Sequence, residues 1–378
     1  MKYCARCVTP DSRPNIRIDS EGICNACRAH ASRTTINWAE REQAFRDVAA
    51  NARARSQGYD CVIPVSGGKD SHWQVIKCLD YGLKPLCVTW RPPGRTDLGE
   101  SNLRNLVSLG VDHIEFSISP NVERRFMLKT FERCGSTAIP MHLAIFSIPL
   151  RVAERSRIPL VVWGENSAFE YGAAQDAHTG FRLNEEWLRV YGVTQGTTAA
   201  DWIDADLTDR DLAGYYGPEP GVLEREGILA VFLGYYFPWD PDTTRAAACA
   251  RGFRARLEGP RTGYYDYADI DDAFISVHHY LKWHKFGFTR LFDNLSLEIR
   301  HGRMTRAQAV AVIASSGDQT PHEDIARFCD FENLPPDLFR KIVEQFRNPS
   351  IWKKRADGTW WIPDFLIPEW EWGVFNEI

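Results

Sequence analysis

The sequence predicts an α/β protein built on a doubly wound parallel sheet, preceded by a small cysteine module and followed by a mostly helical region. Three observations carry this expectation. Short apolar runs alternate with helical patterns between residues 61 and 163, the rhythm of parallel strands joined by crossover helices. Two Cys-x2-Cys pairs lie within the first 27 residues, in a stretch with little apolar content of its own. From residue 270 onward the pattern is helical, until a Trp- and Pro-rich tail begins at Thr359.

Taken in order, Asn37 can cap a first long helix, with Glu40 at its third position as in a capping box. Trp38, Phe45, Val48, Ala49 and Ala52 fall at helical spacing, and Gly58 ends the run. Cys61 to Val65 reads as a first strand, and Ser71 to Leu79 as a helix closed by Gly82. Pro85 to Trp90 is a second strand, followed by a helix from Glu100 to Leu109 closed by Gly110. His113 to Ile118 is a third strand; Val122 to Arg133 and His142 to Arg155 are helices; Leu160 to Trp163 is a fourth strand. Ligands of such sheets bind beyond the carboxyl ends of the strands. From about 167 to 260 the pattern breaks into Gly-, Tyr- and Asp-rich loops, with an apolar run at Ile228–Phe237 and a helical stretch from Thr243 to Leu257. The expected domains are therefore 1–34, a zinc-knuckle module; 35–260, the sheet domain with a loop-rich insertion from about 167; and 261–378, a helical region with an aromatic tail.

Composition narrows the function classes. Of the 378 residues 44% are hydrophobic and 25% charged, ordinary values for a folded globular protein. A net charge of −5 gives no long-range attraction to nucleic-acid phosphates, so no nucleic-acid partner is expected. No run approaches the ~18 apolar residues that span a bilayer, and Met1-Lys2-Tyr3-Cys4 is followed by no apolar signal region. A cytoplasmic protein without a membrane partner is expected. Of the ten cysteines, Cys61, Cys78, Cys87, Cys134, Cys249 and Cys329 are scattered singly, which reads as one metal site plus incidental thiols.

The first chemical motif is Val65-Ser66-Gly67-Gly68-Lys69-Asp70-Ser71, where a strand turns into a helix. Two glycines let the backbone turn tightly, so successive N–H groups can converge on an anion. The helix start adds partial positive charge and Lys69 a full one. Asp70 beside a phosphate implies an intervening divalent cation, as Mg²⁺ on a nucleotide provides. Ser66 and Ser71 supply hydroxyls. The Walker A frame is absent. The alternative reading is a Gly-rich turn with a capping serine. The fourth strand ends in Gly164-Glu165-Asn166, over the same crevice; plain turn and cap chemistry is the alternative there.

The second motif is Cys4-x2-Cys7 followed, sixteen residues on, by Cys24-x2-Cys27. This is the spacing of a structural zinc site with two knuckles. Four thiolates around Zn²⁺ leave a negative centre, and Arg6, Arg13 and Arg28 lie near enough in sequence to offset part of it. Metal binding then supplies most of the module's folding energy. An iron–sulfur cluster is the main rival. His278, His279 and His284 lie close together on one expected helix without an acidic ligand at metal spacing, and read as packing or substrate contacts.

The loop resembles the S-G-G-x-D-S signature of PP-loop (adenine nucleotide alpha hydrolase-like) ATP pyrophosphatases. That resemblance implies ATP held by its β,γ-pyrophosphate while a substrate oxygen attacks the α-phosphorus, with the adenine at Thr89 and Trp90. Zinc knuckles followed by this loop are similar to the N-acetyl sugar amidotransferases of bacterial surface-polysaccharide, O-antigen and nonulosonic acid biosynthesis. Further matches are Gly164-Glu165-Asn166, Leu233-Gly234-Tyr235-Tyr236 with Trp239-Asp240, His279-Tyr280-Leu281-Lys282 leading into Lys285-Phe286-Gly287, and Glu298 to Arg306. The resemblance implies conversion of an acetamido to an acetamidino group on a nucleotide-linked sugar. ATP-binding residues would be Ser66, Gly67, Gly68, Lys69, Asp70, Ser71, Thr89, Trp90 and Gly164. Lys69, Asp70, Glu165 and Asn166 would act in catalysis, with Lys285 or Arg300 as an extra clamp or a mere surface charge.

The ammonia source is missing: Lys2 stands where an N-terminal nucleophile glutaminase needs Cys, and no cysteine sits in a G-x-C-x-G elbow. A separate glutaminase subunit is expected. The tail with Trp360, Trp361, Trp370 and Trp372 is a candidate docking surface, unless it packs on its own domain or on a homodimer mate. Two rival functions remain: a tRNA-thiolating PP-loop enzyme, which would want a basic face for folded RNA, and a non-catalytic nucleotide-sensing scaffold.

Overall fold

The computed structural model describes residues 1–172, 182–317 and 319–372. Helix α1 (Asn25–Ala31) belongs to the cysteine module, and α2 (Trp38–Arg55) leads to the sheet. Asn37 caps α2 as expected, its Oδ1 accepting the Glu40 N–H at 3.3 Å. Then follow β1 (Cys61–Pro64), α3 (Lys69–Asp80), β2 (Pro85–Trp90), α4 (Asp97–Val107), β3 (Asp112–Phe116), α5 (Pro120–Cys134), α6 (Ile139–Ser156) and β4 (Leu160–Trp163). Helix α3 starts at Lys69, directly after the Gly67-Gly68 turn and without a side-chain cap, whereas α4 starts ahead of its apolar periodicity because a cap opens it. For α4 the cap is Thr96, whose Oγ1 accepts the Gly99 N–H at 3.0 Å.

The loop-rich stretch holds α7 (Ser167–Tyr171), α8 (Glu185–Tyr191), α9 (Val222–Arg225) and a further strand. The apolar run Ile228–Phe237 divides into β5 (Leu229–Phe232) and the one-turn helix α10 (Leu233–Tyr236). Helix α11 (Pro241–Cys249) is shorter than its pattern suggests, because Gly252 turns the chain at φ +93° against Asn105. The C-terminal region comprises α12 (Phe274–Phe286), α13 (Arg290–Arg300), α14 (Arg306–Ser315), α15 (His322–Glu332) and α16 (Pro336–Gln345). A small antiparallel pair, β6 (Lys353–Lys354) with β7 (Trp360–Trp361), follows.

The main sheet is parallel throughout, in the order β3-β2-β1-β4-β5. Strands are thus added outward on one side from β1 to β3 and on the other side from β4 to β5, which makes the gap between β1 and β4 the switch point of a doubly wound sheet. Alternation along the strands feeds two cores. Val62, Val88 and Val161 face α5 and α6, whereas Cys61, Ile63 and Val162 face α2, α3 and α4. Each such side chain removed from water contributes roughly 1.5–3 kcal/mol, so a strand buried on both faces needs no polar alternation to hold its register. β3, at the edge, is largely exposed.

Helices α12, α15 and α16 pack on α5 through Phe131, Phe328 and Phe339. The aromatic tail folds back on its own chain. Trp372 lies in a cluster with Trp283, Trp352 and Phe365, and Trp360, Trp361 and Trp370 pack half-buried against it. Packing on its own chain, one of the alternatives the sequence leaves open for the tail, is thus what the structure describes for Trp360, Trp361, Trp370 and Trp372. No helix among the described residues is long and apolar enough to cross a membrane.

Candidate active site

The Val65–Ser71 turn sits between β1 and α3 at the carboxyl end of the sheet. Gly67 has φ +92°, and a Cβ there would meet the Leu103 backbone at 2.7 Å; only glycine lets the turn lie this close to α4. Gly68 is extended and begins α3. Two local bonds shape the turn: Ser66 N–H donates to Ser71 Oγ at 3.0 Å, and Gly68 N–H to Ser66 Oγ at 3.3 Å. The Lys69 ammonium is buried and donates to both Asp70 oxygens at 2.7 and 2.6 Å, while the Trp239 indole donates to Asp70 Oδ1 at 2.9 Å. Lys69 Nζ also lies 5.1 Å from the Trp239 ring centroid.

This turn opens onto a cavity of about 190 Å³, below the ~300–1,000 Å³ of whole small-molecule sites. It suits the phosphate-bearing part of a nucleotide and an adjoining reactive group. Its floor is the loop and Glu165. One wall is aromatic (Trp239, Tyr265, Tyr267), and the other is polar (Asp269, Asp271, Arg290, Asn294) with Tyr171 beside it. Burial pushes the Glu165 carboxyl up to about 8, Asp70 raises it further and Lys69 opposes the shift. Burial also raises Asp271, against its hydrogen bond with Ser66. Arg290 Nε donates to Asp269 at 3.0 Å, and its guanidinium lies 5.7 Å from the Tyr171 ring.

Of the residues singled out in the sequence, Ser66, Gly68, Lys69, Asp70, Ser71 and Glu165 line the cavity, and Gly67 shapes its floor. Gly164 packs against Gln74 and accepts the Gly234 N–H at 3.0 Å. Asn166 accepts from the Trp187 indole at 3.2 Å and its carbonyl starts α7, which is cap chemistry. Thr89 is buried and donates to Val65 O at 2.7 Å. Trp90 lies in the core, bonded to Glu123 at 2.7 Å. The side chains of Thr89 and Trp90 thus serve the sheet rather than the cavity.

Lys285 and Arg300 do not reach the cavity. Lys285 donates to Cys134 O at 2.7 Å and Gly135 O at 3.3 Å, satisfying carbonyls left open at the end of α5. Arg300 is buried behind the cysteine module and donates to Glu170 O at 3.2 Å. The sequence reading missed Tyr265, Tyr267, Asp269, Asp271, Arg290 and Asn294 as cavity residues, and quoted Trp239 without a role. One signal was available: Tyr264 to Asp272 holds three tyrosines and four aspartates in nine residues, more chemistry than a plain linker needs.

The four cysteines of the module are buried, with every sulfur within 4.8 Å of the others. Cys4 and Cys27 sulfurs lie 4.0 Å apart, Cys7 and Cys24 sulfurs 3.7 Å. A tetrahedron with Zn–S of about 2.3 Å puts its sulfurs about 3.8 Å apart, so the set fits zinc. Backbone N–H groups of Cys24 and Cys27 point at the sulfurs of Cys4 and Cys24, at 3.2 and 3.4 Å, as expected around thiolates. The compensating cation is Arg300: burial opposes its charge, but Cys7, Cys27 and Cys24 hold its pKa above the ordinary value. Two of the three arginines expected in that role are engaged elsewhere. Arg28 pairs with Asp19 and Glu21, and Arg13 with Asp293 at 2.7 Å. Among the described residues no other His, Cys or carboxylate group clusters at metal distance; His279 and His284 are buried on α12.

The module also braces the cavity. Arg13 Nη1 donates to Tyr171 O at 3.1 Å, and Arg33 forms an ion pair with the buried Glu170 on α7. Thr9 donates to Ser296 on α13 at 2.9 Å.

Residues 258–364 match the family model described as "LPS biosynthesis protein WbpG-like, C-terminal domain". Among curated proteins, the chain is similar to heptaprenylglyceryl phosphate synthase of Listeria monocytogenes serotype 4a (strain HCC23), 27% identical over 163 residues, covering 41% of this chain and 72% of that one. The serotype 4b (strain CLIP80459) protein of the same name is 26% identical over the same shares. At that identity, over less than half of this chain, neither assigns a family or an activity. Among solved structures, NMN synthetase from Francisella tularensis aligns over 79% of this chain and 94% of its own, at 12% identity and a TM-score of 0.35, too slight a likeness to carry an argument. The C-terminal third of the chain thus carries a domain similar to that of the WbpG-like lipopolysaccharide biosynthesis proteins, beside the Ser66–Ser71 turn and the four-cysteine module.

Proposed function

We propose that the protein is an ATP-dependent, AMP-forming amidotransferase that turns the acetamido group of a nucleotide-linked sugar into an acetamidino group. The observation that carries this reading is the Ser66–Ser71 turn opening α3 onto a cavity whose far wall comes from the WbpG-like domain. One surface of the cavity suits an anion, and the other is an aromatic and acidic wall suited to a neutral, hydroxyl-rich ring.

An amide carbonyl is too stable for ammonia to attack, and its oxygen leaves poorly. Transfer of AMP to that oxygen breaks the bond between the α- and β-phosphates, and pyrophosphate departs. Ammonia then adds to the activated carbon, and AMP leaves with the former amide oxygen. Lys69 and the turn's N–H groups stabilise the departing pyrophosphate. Phosphate would draw Lys69 away from Asp70 and free that carboxylate for Mg²⁺, the charge-neutralising ion for such a leaving group. Glu165 takes the proton released as nitrogen adds to carbon; its pKa near 8 suits proton transfer near neutral pH. The four-cysteine centre holds Zn²⁺ in a structural role, since four thiolates leave no open position. A separate glutaminase subunit supplies the ammonia, and the acid-lined cavity favours a sugar over RNA as the second substrate.

The test is a product assay with ATP, Mg²⁺, ammonium and a panel of N-acetyl nucleotide sugars. AMP and pyrophosphate, with sugar lighter by the difference between O and NH, support the reading. ADP and phosphate as the products, or no turnover of any panel sugar, count against it. Activity with ammonium that no glutaminase plus glutamine can raise would remove the partner from the proposal.

A further inference from the structure

Helix α13 turns one stripe toward the cavity: Arg290, Asn294 and Leu297 line it, at the i, i+4, i+7 spacing of a single helical face. Asn294 is the unusual member. It is 1% exposed, and its Nδ2 has no hydrogen-bond partner. Its orientation is fixed, because Oδ1 accepts the Tyr264 N–H at 3.0 Å; turning the amide over would set two donors against each other. The chain makes room for this contact. Gly263 has φ +74°, and a Cβ there would fall 2.1 Å from Asn294 Oδ1. A buried donor held in place without an acceptor costs free energy that a bound ligand can recover.

The surroundings indicate what kind of acceptor fits. Arg290, one turn away, is engaged by Asp269 at 3.0 Å and Asp293 at 3.8 Å. Lys69 and the turn's N–H groups lie on the opposite, loop side. The Asn294 side therefore offers a neutral donor among carboxylates, a poor place for a phosphate and a good one for an uncharged oxygen. Beside it, Tyr265 and Tyr267 stack at 4.8 Å with an interplanar angle of 20°, giving a flat face for a ring. We propose that Asn294 recognises the second substrate, its Nδ2 donating to an uncharged hydroxyl or carbonyl oxygen of a sugar seated against Tyr265 and Tyr267. This rests on the ATP-dependent sugar reading above and adds the residue that sets its second-substrate affinity.

The test is Asn294→Asp, which keeps an oxygen for Tyr264 and replaces the free donor by an acceptor. Wild type and variant are compared in ATP–Mg²⁺ binding by calorimetry, in thermal melting, and in KM and kcat for the panel sugar that wild type turns over. The expected result is a KM for the sugar raised roughly 10- to 100-fold, with ATP affinity unchanged and the fold retained. The KM penalty should shrink as pH falls, because the protonated carboxyl regains an O–H donor; a merely structural role would not give that dependence. A variant with wild-type KM, or one that loses ATP affinity instead, overturns the assignment while leaving the amidotransferase reading intact. Should wild type turn over no panel sugar, both readings fall together.

Discussion

Gly67 and Gly68 are adjacent, but the structure asks different things of them. At Gly67, φ is +92° and an added Cβ would stand 2.7 Å from Leu103 N and 2.9 Å from Leu103 Cα. An L-residue in the left-handed region costs roughly 1–2 kcal/mol. Forcing a methyl group against backbone that cannot step aside adds about 1–3 kcal/mol, and reduced freedom of the unfolded chain returns about 0.4–1 kcal/mol. Gly67→Ala should therefore destabilise by about 1–4.5 kcal/mol and shift the turn away from α4. Gly68 has negative φ, and its nearest obstacle is Ser66 Oγ at 3.4 Å. Gly68→Ala should leave apo stability within about 0.5 kcal/mol of wild type, as substitutions away from special features do. Denaturant melts with and without ATP–Mg²⁺ check both, since a ligand that binds only the folded state adds RT ln(1 + [L]/Kd). The Gly67→Ala protein should lose stability and also the ATP-induced gain. Equal effects of the two substitutions on apo stability would refute this account of the loop, as would a full ATP-induced gain in Gly67→Ala.

Three further outcomes follow from the geometry. Chelation should release zinc from Cys4, Cys7, Cys24 and Cys27 and open residues 1–34 to protease; because Arg13 and Arg33 brace α7, ATP affinity should fall with it. Metal assay and limited proteolysis read the two effects, and a metal-free protein as resistant as the native one would contradict the zinc assignment. Lys285→Ala should cost about 1–3 kcal/mol, the price of carbonyls left without their donor, and leave turnover unchanged; a selective loss of kcat would return Lys285 to the chemistry. Glu165 has a folded pKa raised to about 8, so its contribution to apo stability is present at acid pH and is lost as pH rises from about 4.5 through about 8, with a slope of up to about 1.4 kcal/mol per pH unit. Glu165→Gln should flatten that part of the stability curve, and an unaltered slope would show that the group does not titrate there.

Strands β2 and β4 were legible at their ends because both are apolar runs buried on both faces. The loop and the cysteine module were legible because their chemistry sits in contiguous or closely spaced residues. β5 was visible only as an apolar run, since a strand that turns at once into α10 shows no period long enough to separate the two. The far wall of the cavity was not legible, because the facing of a helix depends on what packs around it. On α13, Arg290, Asn294 and Leu297 face the cavity, whereas Asp293, Ser296 and Arg300 face the cysteine module. Arg300 was thus assigned to the right helix and the wrong side of it. Lys285 was similarly displaced: nothing in its spacing reveals that the end of α5 waits for a donor.

In the proposed reaction an amide oxygen of the sugar attacks the α-phosphorus of ATP in this cavity. The direct measurement is turnover of a nucleotide sugar whose acetamido oxygen carries the heavy isotope, with AMP collected and weighed by mass spectrometry. The label should leave the sugar and appear in AMP, with unlabelled pyrophosphate as the other product. AMP without the label, or label found in inorganic phosphate beside ADP, would contradict it.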